Sequence, residues 1–297
     1  MGGTDMRNYV CEFLKEYKYD GQSAAMLLDA YDKIVAHPQA NEKMNEAISI
    51  YESNYLCDFA PVFEMIDCAA VLAKVHEFTA RLLMFICLSK HLRTLYIEHG
   101  LPLDYYKSSV SDLRYKMDEC ILVYGIVGSF VAGWFCGFFN LKRFGIGRLQ
   151  FEVINFNAEY EKNGIHLTPE TKVINVHIPR SGEPLTEEAC REAYLAAKAF
   201  YKDEVTTEPC PFVCHSWLLD PTFEEFLPRH TNTYRFYKSF DIFESSVDRE
   251  RKNLWRLFDT MEQNPERLPA DTSMRRAFVE HLKRGGSIGA GRGVLFI

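Results

Sequence analysis

The spacing of the apolar residues changes once, near residue 142, and that change constrains the chain more than any other feature. Before it, apolar side chains return at helical intervals. Tyr9, Phe13 and Leu14 begin a stripe that residues 23–35, 42–51, 62–83 and 84–97 continue. Breaks are expected at Gly21, at His37-Pro38, at Pro61 and in the turn at 99–102. Residues 111–124 predict a further helix. After Arg143 the period falls to two, and residues 149–156 and 171–179 read as strands. Asn163-Gly164, a type I′ turn pair, lies between them and implies a hairpin-like connection. Residues 184–201 predict a helix with Thr186 as its cap, and 211–219 a third strand. A short helix is expected at 222–227, partly extended chain at 233–243, helices at 249–261 and 273–283, and a closing edge strand at 293–297. The expected fold class is α+β in two domains, all-helical over 1–142 and mixed α/β over 143–297.

Charge and cysteine usage narrow the function. The 297 residues carry 34 Lys and Arg against 41 Asp and Glu, a net charge of −7, which argues against a general nucleic-acid binder. Nine cysteines are widely spaced with no CxxC pair, so no disulfide framework is expected. Cys210, Cys214 and His215 are the only tight cluster and lack a second ligand pair, so no metal is expected. The amino terminus has no apolar core of signal-peptide length, and Met6 stands where a myristoylation pattern needs Ser or Thr. These features predict a cytoplasmic protein with reduced thiols. Residues 121–139 run without a charge, long enough to span a bilayer. Their four glycines, Gly125, Gly128, Gly133 and Gly137, favour a central helix buried within the protein, with no membrane partner.

Four segments can carry chemistry. Residues 142–148, KRFGIGR, set glycines among cations, yet their place before a strand reads as a tight turn. After the strand at 171–179, Arg180, Ser181 and Gly182 precede a helix amino terminus, a place where an anion such as a pyrophosphate can sit. Glu183, Glu187 and Glu188 oppose that reading. In 213–221, Cys214, His215 and Ser216 interrupt an apolar strand, which is costly unless they face a cleft or find partners. Alternation places Cys214 with Ser216 on one face and His215 with Trp217 on the other. His215 is a candidate proton shuttle and Trp217 a ligand wall, against the blander reading of a hydrogen-bonded core histidine. His177 ends the preceding strand, and if the two strands are neighbours both histidines can line one cleft, with Ser216 near. The glycine-rich residues 285–293 read as a flexible connecting loop.

Residues 143–152, RFGIGRLQFE, then Val176-His177-Ile178-Pro179 with Ser181-Gly182, then 214–219, CHSWLL, carry a resemblance. The chain resembles a bacterial two-domain acyltransferase family with a helical N-acyltransferase amino-terminal domain and a GNAT-like carboxyl-terminal domain. The resemblance implies an acyl-CoA cosubstrate, acetyl-CoA or a longer one. It also implies an amine or peptide-amine acceptor, attacked directly. The pyrophosphate would then lie on Arg180, Ser181 and Gly182, and the pantetheine between splayed strands at 172–178 and 211–219, beside Trp217. Candidates for the base are His177, His215 and Glu152, and for the acid Ser216 and Cys214. The usual phosphate signature, Gln or Arg before xxGxG or xxGxA, does not follow 172–178. That departure supports the rival expectation of an inactive GNAT-like binding or regulatory module. A nucleotide- or sugar-binding protein using the glycine-rich loops is a third.

Overall fold

A computed structural model describes residues 3–297. It divides into two compact units, Met1–Phe144 and Gly145–Ile297. The first is helical: α1 (Gly3–Glu16), α2 (Gly21–Ala36), α3 (Pro38–Ser53), α4 (Phe59–Ala73), α5 (Glu77–Glu98), α6 (Leu103–Tyr124) and the single turn α7 (Cys136–Phe139). Local capping sets the boundaries. Asp20 accepts the amides of Gln22 and Ser23 at the start of α2, and Asp58 accepts that of Ala60 at the start of α4. His37 caps α3, with Pro38 in the first turn where its missing N–H costs nothing.

Two expectations are corrected in this unit. The helix expected over 62–83 ends at Ala73, because Lys74 takes the left-handed conformation (φ 54) and His76 caps a new helix. The charge-free run 121–139 is no central helix. Gly125, also left-handed, ends α6, and the next residues fold onto the start of α5. Ser129 N–H donates to Phe78 O at 3.0 Å, and Thr79 Oγ1 donates to Val127 O at 2.7 Å. A Cβ on Gly128 would lie 2.4 Å from Phe78 carbonyl carbon, so only glycine fits there. The helix surrounded by its neighbours is α5, buried at every position from Leu82 to Ser89. Among the described residues no helix is long and apolar enough to cross a membrane.

The second unit is built on strands β1 (Arg143–Ile146), β2 (Leu149–Asn155), β3 (Tyr160–Lys162), β4 (Ile165–Leu167), β5 (Lys172–His177), β6 (Pro211–Ser216), β7 (Asp241–Val247) and β8 (Gly289–Phe296). Its helices are α8 (Glu187–Phe200), α9 (Phe223–Phe226), α10 (Asn232–Ser239), α11 (Trp255–Phe258) and α12 (Ser273–Lys283). Six strands form one sheet in the order β1-β2-β5-β6-β8-β7, and β3 pairs with β4 as a separate hairpin around Asn163-Gly164. The fold is the expected one, a helical region followed by a mixed α/β unit.

Register sorts the sheet into two faces, since paired residues share a face. Phe151↔Val176, Ile174↔Phe212 and Cys214↔Gly293 define the back. Helix α8 covers it through Tyr194, which lies edge-on to Phe151 and to Phe212 at 6.1 and 5.2 Å. Glu152↔Asn175, Asn175↔Val213 and Val213↔Val294 define the front. The β3–β4 hairpin caps one part of that front over Phe156, Val173, Val213 and Val294.

Several elements differ from expectation. The strand at 211–219 stops at Ser216, whose Oγ accepts Leu218 N–H at 3.2 Å and turns residues 217–219 into a 3-10 helix. Of the stretch 233–243, residues up to Ser239 belong to α10 and only 241–243 are extended, as the start of β7, and 249–261 are irregular apart from α11. The closing strand β8 begins at Gly289 and lies inside the sheet, with β7 at the edge. Its glycines are required by close approach: a Cβ on Gly291 would sit 2.0 Å from Leu219 O, so the 3-10 turn can lie across β8 only there.

Candidate active site

Strands β5 and β6 run parallel and pair at Ile174↔Phe212 and Asn175↔Val213. Their outer partners are registered over six positions each, β5 with β2 and β6 with β8. The carboxyl ends of β5 and β6 thus run on past the last ladder pair between them. A crevice at the carboxyl ends of parallel strands is where open α/β sheets place ligands.

The front face carries the polar side chains at that seam. His177 Nε2 lies 2.6 Å from Glu152 Oε1, although the two stand on different strands and diagonal to each other in register. Asn175, two residues before His177 on the same face, donates from Nδ2 to Glu152 Oε1 at 3.1 Å and lies 3.1 Å from His177 Nε2. Asn175 thus donates to that carboxylate oxygen, and His177 Nε2 donates to it in the tautomer that carries its proton there. A proton on Nε2, held by Glu152, puts the lone pair of neutral His177 on Nδ1. The side chains of His177 and Glu152 are 20% and 16% exposed, dry enough to strengthen the contact and open enough for proton exchange. The carboxylate and imidazole were expected; Asn175 was not, since nothing in the alternation of 171–179 marks it.

Strand register puts His215 on the same face, opposite Arg292 of β8. It is exposed, which excludes the core-histidine reading. Arg292 donates to Glu244 at 2.6 Å and to Phe156 O at 3.2 Å, with its guanidinium over the Phe243 ring. Ser216 ends β6 as the cap of the 3-10 turn.

Cys214 and Trp217 do not join this group. Cys214 lies on the back face, 1% exposed, and burial pushes its thiol well above the usual range, so it is a core residue and no proton donor. Trp217 leaves the strand alternation and packs edge-on against Phe223 and Phe278, away from the face shared by His215. Cys214 and His215 point to opposite faces and form no ligand set; among the described residues no group of three His, Cys, Asp or Glu can hold a metal.

The loop after β5 is braced from below. Arg148 donates from Nε to Glu183 O and from Nη1 to Pro179 O, at 3.0 and 3.1 Å. The glycine segment at 142–148 therefore forms the β1–β2 turn, with Gly147 left-handed, and supports the loop rather than offering a cradle of its own. Gly182 is also left-handed (φ 81) with open space around it, and Ser181 Oγ accepts Glu183 N–H at 3.2 Å. Thr186 caps α8, whose first turn carries Glu187 and Glu188. Arg180 pairs end-on with Asp259, through both terminal nitrogens, an acid that sequence spacing could not connect to it.

Two family models match nearly end to end. An N-acyltransferase N-terminal domain matches residues 9–141, and a GNAT-like C-terminal domain matches residues 144–295. The chain belongs to this two-domain family. Solved structures share the fold. An acyltransferase in complex with decanoyl-CoA and teicoplanin aligns with a TM-score of 0.73 at 19% identity, over 96% of this chain and 86% of that one. A mutant acyltransferase in complex with octanoyl-CoA aligns at 0.74 and 19%, over 96% and 87%. One in complex with CoA and 10C-teicoplanin aligns at 0.73 and 19%, over 96% and 86%. No curated protein matches the chain.

Proposed function

We propose that this protein transfers an acyl group from acyl-CoA to an amine, with the Glu152–His177 dyad receiving the proton that the amine loses. The 2.6 Å contact between His177 and Glu152 at the parting ends of β5 and β6 carries the reading. Structures of the same fold that hold decanoyl-CoA, octanoyl-CoA or CoA support acyl-CoA as the cosubstrate. The acceptor is an amine or peptide amine; teicoplanin in two of those complexes supports a bulky one.

In this reading the acceptor nitrogen, relieved of its proton, attacks the thioester carbonyl carbon. The C–N bond forms, the C–S bond breaks, and the departing thiolate takes a proton from His215, since Ser216 shares the back face with Cys214. Amides of β6 beyond the last ladder pair polarise the carbonyl. Arg180, Ser181 and Gly182 hold the pyrophosphate at the amino terminus of α8. His177→Ala should lower turnover about 100-fold or more while leaving the fold intact. Release of free CoA from octanoyl-CoA with a panel of amines measures it. Equal turnover in the variant removes His177 from the chemistry, and no turnover by the unaltered chain with any acyl-CoA favours a binding module instead.

A further inference from the structure

Residue 259 is an unexpected place for an aspartate. Its backbone is left-handed (φ 58, ψ 30) where it ends α11, a conformation that glycine adopts without steric cost. The carboxylate supplies the reason. Arg275, on α12, donates from Nη2 to Asp259 Oδ2 at 2.5 Å. Its Nε binds Leu257 O at 2.9 Å, and its Nη1 binds both oxygens of Asp271 at 3.0 and 3.1 Å. The Asp259 and Arg275 side chains are only 14% and 15% exposed, so this half of the cluster is fixed within the protein. The other half faces outward. Arg180, 40% exposed, meets both Asp259 oxygens, with the second contact at 2.9 Å. Burial alone would raise the Asp259 carboxyl, but bonds and charge from Arg180 and Arg275 outweigh it and hold the group below the usual carboxylate range.

We propose that Asp259 is a positioning residue for cosubstrate binding: anchored by Arg275, it holds the Arg180 guanidinium in a set orientation above the loop that follows β5. The inference rests on the reading of that loop as the pyrophosphate site. An end-on pairing takes one N–H from each terminal nitrogen of Arg180, and the guanidinium has five N–H donors in one plane. A carboxylate at one edge therefore orients the donors along the others toward an oxyanion. The alternative role for Asp259 is purely structural, tying residues 248–272 to α12. Arg180 is the outer end of a three-residue chain that runs through Asp259 to Arg275.

A double-mutant cycle with free coenzyme A as the probe separates the two roles, with affinity read by isothermal titration. Asp259→Asn keeps the shape and removes the charge, and it should weaken coenzyme A about tenfold. Arg180→Ala should weaken it at least as much, and adding Asp259→Asn to Arg180→Ala should cost less than a further twofold. Asp259→Glu should recover part of the loss. With octanoyl-CoA, Asp259→Asn should raise KM and leave kcat unchanged. Equal losses in both backgrounds, or coenzyme A affinity untouched by Asp259→Asn, would overturn the positioning role. If Asp259→Asn depletes folded protein, Arg180→Gln tests the same link at a half-exposed residue, and unchanged affinity there overturns it as well. An unaltered chain with no affinity for coenzyme A would instead overturn the proposed function on which the inference rests.

Discussion

The two faces of the six-stranded sheet are made from the same strands and do opposite work. On the back, Phe151, Phe212 and Tyr194 stack edge to face under α8, and even Cys214 serves only to fill space. On the front, the same strands carry Glu152, Asn175, His177 and His215 into a half-open seam. Alternation by two is the whole reason one strand can be both core and site. The lesson is that a reactive residue type next to a candidate base in sequence is on the wrong side of the sheet, whereas its partner lies one strand away.

Breaking the back face should cost the most stability. Phe212→Ala removes a fully buried ring from its aromatic contacts with Phe151 and Tyr194 and should destabilise by about 3–5 kcal/mol, read by chemical denaturation. Turnover per folded molecule should stay unchanged. Cys214→Ser buries a hydroxyl in place of a thiol and should cost about 1–3 kcal/mol, again with turnover per folded molecule unaltered. A specific loss of turnover there would put the back face into the chemistry and erase the contrast.

The hairpin over the front gives a smaller, pH-dependent effect. Asp241 receives Lys162 at 2.7 Å and the Tyr160 hydroxyl at 2.7 Å. The Lys162 hydrogen bond, with Tyr160 adding to it against the opposing effect of burial, holds the Asp241 carboxyl below its usual range, while burial and Asp241 push Tyr160 up to about 12. A depressed carboxyl stabilises the fold above the unfolded value near about 4 and loses that contribution as pH falls through the folded value. Asp241→Asn should thus cost about 1 kcal/mol at neutral pH, discounted for solvent, and the difference in Tm should vanish in acid. Ser216→Ala removes the cap of the 3-10 turn and should cost about 0.5–1 kcal/mol. Turnover per folded molecule should stay unchanged, since Ser216 shares the back face with Cys214.

Much of the architecture was legible because period is legible. The switch near residue 142, the strands at 149–156 and 171–179 and α12 follow from local pattern; so does the Asn163-Gly164 turn, although it closes a separate hairpin, β3–β4, that the pattern did not show. What failed did so for local reasons of another kind. Lys74 breaks a helix with no glycine or proline to signal it. Residues 121–139 lack charge because they are pinned against α5, and lack of charge reads the same in a helix or a loop. Residues 232–239 are rich in aromatic strand formers yet form α10, with Thr231 as its cap. In the candidate site, His177 and Glu152 stood out as titratable groups on strands. Their contact depends on register, which sequence does not display. Asn175 and Asp259 stayed hidden because each matters only through a partner brought close by the fold.

The central claim is that the front-face carboxylate and imidazole act together on a proton. Glu152→Gln tests it most directly, because the amide keeps the size of the side chain and loses the charge that holds His177 Nε2–H. Turnover of octanoyl-CoA with an accepted amine should fall about 100-fold, coenzyme A affinity should not change, and adding His177→Ala should lower turnover little further. Full turnover in Glu152→Gln, or losses that multiply in the double variant, would contradict it.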